Sequence, residues 1–198
     1  MLFGMGSAKS AAKSKGTVWS LGRYARTLVL IPLVLCVAAT PQRDAEKDTT
    51  SILQANYLYN IAKLVEWKDP AMRSGNFIIG VIGGANLYQE LIKQYSTRTI
   101  GKQPIEVRKL PRSTDVERCH MLFVGKADLA LLPEIYKRMK DQPTLVITEY
   151  AGALDDGSVV NFVKVDNLLK YELSMANAKG HGLVVGLTLK NLAHRVEE

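Results

Sequence analysis

An α/β sandwich is the fold class this sequence predicts: three layers, with a mixed central sheet flanked by helices and a C-terminal β-hairpin and helix. Three observations predict it. Continuous apolar runs at 77–82, 120–124 and 145–147 read as central strands covered on both faces. Segments with helical spacing of apolar residues alternate with those runs. Beyond residue 157 two strand-like runs are split by Asp166-Asn167, a good hairpin turn.

The elements follow in chain order. Ser51 is a candidate cap for a helix over residues 52–67, which Pro70 would stop. Asn56, Asn60 and Lys63, with Glu66 close by, form one narrow polar stripe on it. A helix so apolar elsewhere is expected to be covered on more than one side. The run 77–82 is broken by Gly83-Gly84, and Asn86 is placed to cap a helix with Leu87, Tyr88, Leu91, Ile92 and Tyr95 on one face. Gly101-Lys102 make a turn. Ile105 and Val107 then alternate with Glu106 and Arg108, a half-exposed strand. Leu131, Leu132, Ile135, Tyr136 and Met139 mark a helix, with Pro133 tolerable in its first turn. The hairpin pairs 158–165 with 168–173. After a turn at Gly180-His181-Gly182, residues 183–185 suit a short strand. A terminal helix would carry Leu189, Leu192, Ala193 and Val196 on one side.

The 198 residues carry a formal net charge of +7, with a pI near 9.4, which by itself would suggest a nucleic-acid binder. The location of the charge argues otherwise. Residues 1–39 hold Lys9, Lys13, Lys15, Arg23, Arg26 and no acid. Of the 26 basic residues 21 therefore remain beyond them, against 19 acidic ones, a balance of +2. No nucleic-acid partner is expected.

Residues 1–39 read as a signal peptide. A basic stretch precedes an apolar run over 28–39, the length of a signal core and short of a bilayer span. Val37-Ala38-Ala39 supplies small residues for cleavage after Ala39, so export from the cytoplasm is expected. An uncleaved anchor and a later start codon, such as Met5, are the alternatives. Residues 40–50 read as a flexible tether, and 51–198 as a single domain. Removing the leader takes Cys36 with it. Cys119 then stands alone, and no internal disulfide can form.

The catalytic inventory is thin. The sequence has no Gly-x-Ser-x-Gly elbow and no Walker loop, and Gly180-x-Gly182-x-x-x-Gly186 has the wrong spacing for a dinucleotide fingerprint. His120, His181 and His194 form no metal-binding pair. Asp155-Asp156 fit turn chemistry better than a cation site. Cys119 reads first as a small buried hydrophobe, with an intermolecular or redox thiol as the second reading. No catalytic residue, cofactor or metal is expected. Gly83-Gly84 end a central strand, where open α/β sheets bind ligands.

Several segments, taken in order, resemble the YfiR-like family of small periplasmic regulators. They are the helix 57–67, the strand 77–83, the stretch 100–108, the stretch 119–124, and 160–163 with the hairpin and 173–176. The resemblance covers about residues 52–197. It implies an α/β fold without known enzymatic activity, acting from the periplasm on an inner-membrane sensor protein. In the type member that partner is a diguanylate cyclase, whose inhibition lowers cyclic di-GMP. It also implies a homodimer. Some members carry cysteine pairs, but here only Cys119 matches a family cysteine, and the loop 150–157 has none. The expected contact regions are the first helix and the hairpin, with Asn60, Lys63, Trp67, Gly83, Gly84 and Phe162 as candidate partner or ligand contacts. The alternative reading is a periplasmic solute-binding protein framed by Gly83-Gly84 and Gly125-Lys126, its small molecule unidentified.

Overall fold

A computed structural model of the chain describes residues 42–113 and 116–198; the expected signal peptide lies outside the described residues. The elements are α1 (Gln42–Leu64), β1 (Val65–Trp67), β2 (Phe77–Ile82), α2 (Ala85–Tyr95), β3 (Thr99–Ile100), β4 (Gln103–Lys109), β5 (Met121–Val124), α3 (Leu132–Met139), β6 (Leu145–Thr148), β7 (Val160–Val165), β8 (Leu168–Ser174), α4 (Met175–Gly180), β9 (Leu183–Val185), α5 (Leu187–Leu192) and β10 (Arg195–Glu197). Eight strands form one mixed sheet in the order β10-β8-β7-β6-β5-β2-β4-β3, and β1 pairs antiparallel with β9 in a separate two-stranded sheet.

The central strands β4, β2, β5, β6 and β7 are parallel neighbours. Alternation sorts their side chains onto two faces. Phe77, Ile79, Val81, Met121, Phe123, Leu145 and Ile147 join Ala55, Leu58, Ile61 and Ala62 of α1 and Leu87 and Leu91 of α2 in one core. Ile82, Leu122, Val124 and Val146 face the other way, onto Leu132, Ile135 and Met139 of α3. Helices on both faces of a mixed sheet make the expected three-layer sandwich. The hairpin is also as expected, and Asp166 and Asn167 both take positive φ (50° and 60°), as a two-residue type I′ turn requires.

Several elements depart from the sequence reading. Residues 42–50, expected as a tether, belong to α1. They contain no glycine or proline after Pro41, so a helix nucleated further on propagates back through them. Ser51 is therefore an internal, buried helix residue and not a cap. At its other end α1 stops at Leu64, because residues 65–67 are drawn into pairing with β9 before Pro70 is reached. Gly84, not Asn86, is the N-cap of α2. A helix not foreseen, α4, follows Ser174, whose hydroxyl accepts from the Asn177 amide. The terminal helix ends at Leu192, and residues 195–197 form β10 beside β8. Val196 is a strand residue for that reason.

Candidate functional site

Strands β6, β5 and β2 lie side by side and parallel, so their C-terminal ends share one rim. The chain leaves β2 through α2 toward β4 on one side. It leaves β5 through α3 toward β6 on the other. The direction of winding changes between β2 and β5, which opens a crevice at the strand ends. A cleft of about 480 Å³ lies there, lined by Gly83 and Gly84, the first turn of α2, Phe123, Glu149, and Thr50, Ser51 and Gln54 of α1.

Backbone geometry requires glycine in this loop. Gly83 has φ +76°, and a Cβ on it would sit 1.9 Å from Oδ2 of Asp128. A Cβ on Gly84 would come within 2.9 Å of the Phe123 ring. Glu149 is the fixed charge of the cleft. Its Oε2 accepts from Gln54 Nε2 at 2.8 Å and its Oε1 from the Lys126 backbone N–H at 3.1 Å. The carboxylate is thus oriented before any ligand arrives, and suits a donor or cationic group. No side chain caps α2 at Gly84, so its N-terminal dipole also faces this end.

A second feature runs along α1. One recess of about 490 Å³ lies between Leu53 and Gln54 on the helix and Phe162, Val163 and Leu169 on the hairpin. Another of about 460 Å³ lies between Tyr57, Asn60, Lys63 and Leu64 and Tyr171, Leu189 and Leu192. The Tyr57 hydroxyl donates to the Leu169 carbonyl at 3.1 Å and joins the two. Of the lining residues Leu53 and Leu192 are exposed, Leu192 at 67%, and Leu168 and Leu187 are exposed elsewhere, on the hairpin and at the start of α5.

The predicted contact residues fall in three places. Asn60 and Lys63 are exposed and line the second recess, and Lys63 lies over the Tyr59 ring. Phe162 is buried on the floor of the first recess, 5.8 Å from Tyr57. Gly83 and Gly84 belong to the cleft. Trp67 lies apart from these, buried against Phe77 and His120 at the opposite end of the sheet, where β1 pairs with β9. Cys119 is also buried, and burial pushes its thiol up to about 12. That environment makes it a core residue of the folded chain and disfavours the intermolecular or redox role.

Sequence reasoning missed Glu149, Gln54, Leu187 and Leu192. Glu149 had a signal: it directly follows a buried strand, where an acid at a C-terminal strand end faces the crevice. Leu187 and Leu192 had none, since an apolar residue on a short helix reads as core. Among the described residues no group of three or more His, Cys, Asp or Glu side chains is placed to hold a metal, and Asp156 instead accepts from the Tyr150 hydroxyl at 2.7 Å.

A domain family described as YfiR/HmsC-like matches residues 51–194. The chain belongs to the YfiR/HmsC-like family. The match begins inside α1 and ends beyond α5, so it contains the cleft residues from Ser51 to Glu149 and both recesses from Leu53 to Leu192. A search among curated proteins found no match.

Proposed function

We propose that this chain is an exported periplasmic regulator that binds and inhibits the sensor region of an inner-membrane diguanylate cyclase, lowering cyclic di-GMP without catalysing a reaction itself. The observation that carries this reading is the family match over residues 51–194. The exposed Leu53 and Leu192, which line the α1 recesses, support it, since apolar exposure at a groove suits a protein interface. No helix among the described residues is long and apolar enough to cross a membrane. Regulation is then linkage: the domain binds one conformation of the sensor and shifts its equilibrium by its differential affinity.

Deleting the gene is expected to raise cyclic di-GMP and surface attachment. Restoring it as the Leu187→Asp/Leu192→Asp variant should leave both high while the protein accumulates normally. Unchanged cyclic di-GMP in the deletion strain overturns the reading. The resemblance also implies a homodimer, which sedimentation equilibrium measures.

A second reading is favoured by the cleft at Gly83-Gly84, whose size suits a small molecule. The protein would then be a solute-binding protein, or a regulator gated by a solute. Thermal-shift screening against metabolites tests this, with Glu149→Ala expected to abolish any stabilisation found.

A further inference from the structure

At the end of the sheet away from the cleft, His120 is held by two bonds of opposite sense. The backbone N–H of Ile78 donates to its Nδ1 at 3.0 Å. Its Nε2 lies 2.7 Å from the Met72 carbonyl oxygen. A carbonyl only accepts and an amide N–H only donates, so the ring is the neutral tautomer with its proton on Nε2. The ring is 3% exposed, stacked on Phe77 at 4.4 Å and met edge-on by Trp67 at 5.7 Å. It therefore ties the segment 67–73 to the start of β2 and β5.

We infer that His120 is an acid-operated latch: a second proton on its ring releases the segment 67–73 from the sheet. An imidazolium carries N–H groups at both nitrogens. The new Nδ1–H would point at the Ile78 N–H, donor against donor, at a buried ring. The ring must leave, and its bond to Met72 goes with it.

The surrounding charges do not rescue the cation. Arg118, two residues before the ring, is itself cationic, and Asp69 at the head of the turn is engaged by that guanidinium. Arg73 in the turn donates to the Trp67 carbonyl at 3.0 Å and pairs with the exposed Glu66 at 2.8 Å. From β4 comes neutral Gln103, whose Nε2 also donates to the Met72 carbonyl at 3.0 Å. Phe77 and Ile78 of β2 are apolar. Cys119 points into the other core. Burial and Arg118 together lower the readiness of His120 to protonate, with the Met72 bond opposing them.

One further atom favours opening. Trp67 Nε1 is buried with no hydrogen-bond partner among the described residues, and opening returns it to water. Below the ordinary histidine value of 6.5 each pH unit favours the open, protonated form by about tenfold. The latch rests on the regulatory reading only for its use in the cell; its operation is a property of the fold.

The test uses the full chain with Trp19→Phe, which leaves Trp67 as its sole tryptophan. Between pH 7.5 and 5 the Trp67 emission should shift reversibly to the red and acrylamide quenching should rise, before far-ultraviolet circular dichroism changes. His120→Gln keeps one acceptor and one donor but cannot titrate, and its emission should stay flat over that range. Emission that is flat in the His120 protein, or a His120→Gln variant that follows it, overturns the latch. Should His120→Gln fail to fold, nitrogen-edited imidazole spectra decide on the His120 protein. Conversion of the Nε2–H ring to imidazolium together with the emission shift supports the latch. A neutral ring throughout the shift, or protonation with no shift, overturns it.

Discussion

The side-chain amide of Gln54 donates to Glu149 at 2.8 Å, so one hydrogen bond spans 95 residues of chain and joins α1 to the end of β6. The other Glu149 oxygen takes the Lys126 N–H at the end of β5. Three elements therefore meet on one carboxylate. Glu149→Ala removes the acceptor from both donors and should cost about 1–3 kcal/mol. Glu149→Gln retains one acceptor oxygen and should cost less. Urea denaturation monitored by circular dichroism measures both; an alanine variant as stable as the parent would mean that water replaces the carboxylate freely.

Gly83 and Asp128 are coupled by contact. At Gly83→Ala the φ of +76° is costly, and the Cβ meets Asp128 Oδ2 as well. The expected loss is at least about 2 kcal/mol. Asp128 is buried and paired through Oδ1 to Arg112 at 2.8 Å, while its Oδ2 has no hydrogen-bond partner among the described residues. Asp128→Ala removes the clash, so the double variant should lose less than the sum of the two single variants. Additive losses in a double-mutant cycle would show that backbone strain alone sets the cost.

The parts that were legible in the sequence are those where one local pattern dominates. The continuous apolar runs of β2, β5 and β6, the alternation of β4 and the Asp166-Asn167 turn were readable because apolar patterning and turn chemistry act within a few residues. Tertiary pairing hid the rest. Val65–Trp67 continues the apolar pattern of α1, and only β9, more than a hundred residues on, makes it a strand. Likewise Arg195–Glu197 is held beside β8 by a pairing in which Arg195 meets Glu172, a partner no local window contains. Gly83-Gly84 marked one wall of the cleft, but its charge, Glu149, is brought in by the parallel order β6-β5-β2. His120 shows the same limit. Nothing local announced that Ile78 and Met72 would take both its nitrogens.

Cys119 should behave as core. With its thiol pushed up to about 12, very little thiolate exists at pH 8. Alkylation by iodoacetamide, mapped to the Cys119 peptide by mass spectrometry, should be negligible in the folded protein and complete in 6 M guanidinium. Cys119→Ala should cost roughly 1 kcal/mol and leave cyclic di-GMP control intact. Rapid labelling of folded protein would return the residue to the redox reading.

Loss of stability in acid should come in two stages, the upper set by His120 and the lower by carboxylates of which Glu172 is the more buried and Glu106, bonded to Arg108 and Asn76, is another. His120 is held below its ordinary value of 6.5 chiefly by burial. The unfolded chain therefore takes up the proton first, and the stability that neutral His120 contributes is present above 6.5 and lost as pH falls below it. Glu172 answers at lower pH. Burial works to raise its carboxyl, but the bonds from Arg195 at 2.9 Å and Asn161 Nδ2 at 3.0 Å outweigh it, and the group ends below its ordinary 4.5. Its contribution is present above 4.5 and lost as pH falls through the lower folded value. Urea midpoints measured from pH 7.5 to 3.5 should decline first below about 6.5 and more steeply below about 4.5. His120→Gln should remove the upper stage and Glu172→Gln should weaken the lower one. An upper stage that survives His120→Gln would assign it to another group.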